Sequence, residues 1–141
     1  MRKEIISNIV DKLKTELDIP ILTYIPVFSK DPKAIKTPHS IVQIGTEEAE
    51  SDVKNKGYRI IPVTVMIVNR AYSNVQIESA QNEIYDLVDI VDSKLHQFKF
   101  SVGTKEPHMI FQTVEWVKEL DSEGSAIILA ADVNFNCITT R

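Results

Sequence analysis

The chain has 141 residues, 43% of them hydrophobic and 26% charged, with 20 acidic against 16 basic side chains and a net charge of −4. A chain of this size buries roughly 68% of the surface its unfolded form exposes, so the composition predicts one globular domain and excludes global disorder. The acidic balance argues against a dedicated nucleic-acid binder, whose affinity comes from clustered Lys and Arg. Lys30, Lys33 and Lys36 fall in one proline-bearing segment and read as a solvated loop. Cys137 is the one cysteine, so no internal disulfide forms; its place in an apolar alternation marks a small buried hydrophobe. No apolar run approaches the ~20 residues that span a bilayer, and the expectation is a soluble protein that tolerates a reducing compartment.

The first seventeen residues predict an amphipathic helix, with Ile5, Ile6, Ile9, Val10, Leu13 and Leu17 at helical spacing and Pro20 as its stop. From Ile19 to Pro38 four prolines interrupt short apolar pieces, which reads as an irregular connector with room for one short edge strand near Ile21–Tyr24. Ser40–Ile44 predicts a strand closed by Gly45. Thr46–Gly57 is the most polar stretch, acidic first and then basic, and reads as an exposed charged loop. Tyr58–Val68 predicts a strand with Ile61, Val63, Val65 and Ile67 on one face; Ile60, Met66 and Val68 make the other face partly apolar too. Pro62 points to a sheet edge or a bulge.

Ser73-Asn74-Val75-Gln76 fits a capping box opening a long helix, whose stripe runs through Ile77, Ala80, Ile84, Leu87, Val88, Val91 and Leu95. Lys94, His96 and Lys99 suit the negative end of its dipole. Met109–Leu120 is β-rich but irregular, placing Val114 and Trp116 on one side and Phe111, Thr113 and Val117 on the other. After a turn at Asp121–Gly124, Ile127–Cys137 alternates cleanly, with Asp132, Asn134 and Asn136 on the solvated side. The fold class is therefore α+β: a mostly antiparallel sheet of about four to five strands, with an N-terminal helix and a long central helix packed on one face.

Chemistry-bearing patterns are few. The four glycines build neither a dinucleotide fingerprint nor a phosphate loop. His39, His96 and His108 have no second histidine or cysteine at ligand spacing, so neither a metal nor a cofactor is expected. Glu83, Asp86, Asp89 and Asp92 recur along the long helix, where the apolar stripe assigns them to a solvated or subunit-facing surface rather than to catalysis. Ser7, Ser73 and Ser122 lack a nucleophile elbow or paired histidine. Trp116 with Glu115 reads as core or interface before it reads as a pocket. The second face of the strand at 58–68 calls for cover by the helices or by another subunit, and the charged loop reads either as a solvent loop or as a contact with a neighbouring copy.

This order of elements, with its Arg59-Ile60-Ile61-Pro62-Val63-Thr64-Val65 strand and the Ser79–Leu95 helix after it, resembles bacteriophage tail terminator (tail completion) proteins over nearly the whole chain. The resemblance rests on element order and carries no signature motif; the proline-dense connector at 19–38 departs from it. It implies a non-enzymatic virion protein, made in the bacterial host cytoplasm, that forms a homo-hexameric ring. That ring would cap the tail tube protein, stop its polymerisation and join the head–tail connector protein, with DNA passing its lumen without specific binding and no membrane involved. The candidate subunit or lumen residues are Glu47, Glu48, Glu50, Asp52, Lys54 and Lys56 of the loop, and Asp132, Asn134 and Asn136 of the last strand. Another head–tail neck protein, or a small ligand- or peptide-binding α+β module, is the alternative.

Overall fold

A computed structural model describes residues 1–26, 36–47, 57–118 and 126–140 in full, together with the backbone of residues 119–120. The described elements run α1 (Arg2–Glu16), β1 (Ile21–Leu22), β2 (His39–Ile44), β3 (Tyr58–Ala71), α2 (Asn74–Leu95), β4 (His108–Leu120) and β5 (Ile127–Thr140). The strands form one five-stranded sheet in the order β1-β2-β3-β5-β4. All pairings are antiparallel except the short parallel contact of β1 with β2. This is the α+β class expected from the alternating helical and strand periodicities.

Both helices bury one stripe against one face of the sheet. Ile5, Ile9 and Leu13 of α1 and Ala80, Ile84, Val88, Val91 and Leu95 of α2 join Ile61, Val63, Val65 and Ile67 of β3 and Val133, Phe135 and Cys137 of β5 in one cluster. The periods of 3.6 and 2 thus meet at a single apolar layer. Cys137 is fully buried there, and desolvation pushes its thiol up to about 12. Residues that pair directly across strands share a face, so Met66, Asp132 and Glu115, each opposite the next, lie on the second face.

Helix α1 ends earlier than Pro20 alone requires. Leu17 already has extended dihedrals while its N–H still reaches the Leu13 carbonyl at 2.8 Å. The capping box of α2 forms only in part. Ser73 is the N-cap but its hydroxyl makes no capping bond, and Gln76 reaches back to accept from the Tyr72 N–H at 2.9 Å.

Pro62 lies in an interior strand, not at an edge. Its carbonyl accepts the Gly45 N–H at 2.8 Å, immediately past the Ile44–Val63 rung where the β2 ladder stops. The N–H it lacks would have pointed to that same side, so the proline interrupts no rung toward β5.

In β4 the register shifts between Phe111 and Thr113, a β-bulge. Phe111 opposite Phe135, Val114 opposite Val133 and Trp116 opposite Ala131 therefore all face the helices, and Phe111 does not share a side with Thr113 and Val117. Between α2 and β4 the chain makes a small hairpin that the sequence reading omitted. Phe98 pairs with Met109, Phe100 with Pro107, and Val102 with Lys105 around Gly103, whose φ of +62° is the left-handed region that favours glycine.

Candidate functional site

The second face of the sheet is not uniform. Toward β2 it is closed: His39, Ile41 and Val68 are buried. Toward β5 and β4 it is half-exposed and mixed, with Ile60, Met66, Ile128 and Ile138 around the polar side chains of Thr64, Asp132, Asn134 and Asn136. Asp132, Asn134 and Asn136 do share one face as expected. That face is half-buried and partly apolar, however, rather than simply solvated, because Ile128, Ala130 and Ile138 alternate in the same set.

Asn134 ties three strands together. Its Oδ1 accepts from the Thr64 hydroxyl of β3 at 2.8 Å, and its Nδ2 donates to the Thr113 hydroxyl of β4 at 3.1 Å. Asp132 sits one row further on, opposite Met66 on β3 and Glu115 on β4. Among the described residues its Oδ1 is buried without a hydrogen-bond partner. Burial first, and then the neighbouring Glu115 carboxylate, push Asp132 above the ordinary carboxylate range. Asn136 lies opposite Pro62 and Ile110.

Glu47 belongs to a different place. It accepts two hydrogen bonds from Arg2 at the start of α1, at 2.6 and 2.9 Å, and a longer ion pair from Arg59 of β3 at 3.6 Å. The Arg2 hydrogen bonds hold Glu47 below the ordinary carboxylate range. These contacts hold Glu47 against the start of α1 and β3, so Glu47 is not gathered with the Asp132 row. Glu48, Glu50, Asp52, Lys54 and Lys56 lie outside the described residues.

Three contacts had no sequence signal, although His96 and Trp116 themselves stood out in the sequence. His96, the C-cap of α2, accepts the Phe111 N–H on Nδ1 at 3.1 Å and so covers part of the β4 edge. Asn69, buried at the end of β3, donates to the Ala80 carbonyl at 3.1 Å and accepts from the Arg70 N–H at 2.9 Å, joining the sheet to α2. Trp116 packs edge-on against Tyr85 of α2, with centroids 5.1 Å apart, and Gln81, Ile84, Val117, Lys118, Leu129 and Ala130 complete a small cleft of about 90 Å³.

A larger groove of about 780 Å³ separates α1 from β2, lined among others by Arg2, Lys3, Lys14, Ile6, Val10 and Val42. Glu83, Asp86 and Asp89 project outward from α2 and are exposed. Among the described residues no three His, Cys, Asp or Glu side chains gather as a metal-binding set, and no helix is long and apolar enough to cross a membrane. Comparison with protein-family models and with curated proteins finds no match.

Proposed function

We propose that this chain is a structural subunit of a bacteriophage tail, a terminator-type protein that assembles into a homo-hexameric ring and works without catalysis. The ring caps the tail tube, stops its growth and meets the head–tail connector, while DNA passes through a lumen that does not grip it. The observation that carries this reading is the sheet itself: both helices cover one face, and the second face keeps Ile60, Met66, Ile128 and Ile138 only half-buried around the Asn134 ladder. Apolar area left half-covered beside polar side chains is the composition of a protein interface. The net charge of −4 suits a lumen wall that repels phosphate. Negative-stain imaging of the purified chain tests this directly: six-fold rings with a central channel are expected, and fields of isolated particles without a channel would overturn it.

A second reading, a small module that binds a ligand or peptide, is favoured by the groove between α1 and β2 with its basic Lys3 and Lys14, Arg2 of the same groove being held by Glu47. Those cations would select an acidic peptide. Fluorescence anisotropy with a labelled Glu-rich peptide separates the two: saturable binding weakened by Lys3→Glu and Lys14→Glu supports the module, and absence of saturation removes it.

A further inference from the structure

We propose that subunits join head to tail through the two edges of the sheet, the outer half of β4 on one copy receiving the Ile21–Ile25 segment of the next. The proposal rests on the ring reading above and places the contact between subunits at the sheet edges, apart from the second face. The β4 edge is covered over only part of its length. Gln97 donates to the Met109 carbonyl at 2.7 Å, Met109 donates to the Phe98 carbonyl at 2.9 Å, and His96 takes the Phe111 N–H. From Thr113 to Lys118 no described main-chain group pairs with the outer side. Those six residues span about 20 Å at roughly 3.4 Å each, long enough for a short added strand.

That uncovered half is also where the edge is apolar. Trp116 is 54% exposed on the helix side and Val117 is 37% exposed on the second face, with Tyr85 42% exposed beside the indole. Glu115 and Lys118 bracket the pair with opposite charges, so the stretch is locally neutral. An apolar, unpaired strand edge is a template for another chain unless something occupies it.

The other end of the sheet has the matching feature. β1 is only two residues long, pairs with β2 on one side, and among the described residues has no strand on the other. Immediately after it Tyr24 and Ile25 are 56% and 61% exposed. The strand order puts β1 and β4 at opposite edges, so a contact between them is heterologous: each copy uses one edge to receive and the other to offer. Such a contact closes into a ring when its rotation permits. A symmetric β4–β4 pairing would cover Trp116 and Val117 but leave Tyr24 and Ile25 bare, whereas the head-to-tail contact covers both sites.

Cross-linking of the full chain tests the assignment, because the native Cys137 is fully buried and leaves engineered thiols as the reactive ones. Val117→Cys and Ile25→Cys variants, treated with a short bis-maleimide, should give a covalent dimer when mixed and none when either is treated alone. Tyr24→Glu and Trp116→Glu should each weaken assembly at least tenfold, and the emission of Trp116, the single tryptophan, should shift to the blue as wild-type concentration rises. A dimer from Val117→Cys alone would overturn the proposal in favour of the symmetric edge. Absence of the mixed dimer at concentrations where light scattering shows an oligomer would overturn the interface and leave the ring standing. Absence of both cross-link and oligomer would overturn the two together.

Discussion

Replacing Asn134 with alanine removes a side chain that hydrogen-bonds to both neighbouring strands on the second face. Each neutral hydrogen bond contributes about 0.5–1.5 kcal/mol net. Asn134 and Thr64 are half-buried and Thr113 is exposed, so water replaces part of what is lost. The expected cost is therefore about 1–2 kcal/mol, in the lower half of the range for two bonds. Urea unfolding followed by far-UV circular dichroism, at one fixed protein concentration, reads this as a midpoint lowered by about 0.5–1 M for a slope near 2 kcal/mol per M. Asn136→Ala, on the same face and without a described side-chain hydrogen bond, is the control and should cost less than half as much. Thr64→Val combined with Asn134→Ala should show a coupling of about 0.5–1 kcal/mol. An Asn134→Ala midpoint equal to that of Asn136→Ala, or zero coupling to Thr64, would refute the ladder as a stabilising element.

Other outcomes follow from the same geometry. Asp132 has a raised folded-state value, so its protonated form is favoured in the fold; stability is greatest below its unfolded value and declines as pH rises through the folded one. Asp132→Asn should flatten that decline and raise the melting temperature at neutral pH, and a lowered one would contradict the burial argument. Glu47 has the opposite sign: its contribution is present above the unfolded value and lost as pH falls through the depressed folded one. Because both partners are partly exposed, Glu47→Gln should cost at most about 1 kcal/mol in thermal melts at neutral pH. Cys137, with its thiol pushed up to about 12, should resist a maleimide in the native state and react only at the rate of opening; prompt labelling at pH 8 would show the core to be looser than described. Phe135→Ala, which empties the largest fully buried side chain among the described residues, should cost about 3–5 kcal/mol by denaturant midpoint.

Much of the fold was legible because periodicity reports burial. The stripes of α1 and α2 and the alternation of β3 and β5 specify which face turns inward, and each meets the same core. What escaped the reading is what depends on contacts between distant residues. The bulge near Gln112 reverses the alternation of β4, and no local residue announces it. Pro62 is compatible with an interior strand only because β2 ends one rung earlier, a fact about another segment. The hairpin at 98–109 had a signal, the alternation of Phe98, Phe100 and Val102, but it is too short to stand out from a loop. Among the candidate residues, Asp132, Asn134 and Asn136 were placed together by period 2 alone, whereas the Arg2–Glu47–Arg59 cluster joins residues far apart in sequence.

The most direct test of the central claim is the solution mass of the purified chain, by light scattering coupled to size exclusion across a range of concentrations. The account predicts one discrete species at six times the 16.0 kDa chain mass. A strictly monomeric mass at every concentration would contradict it.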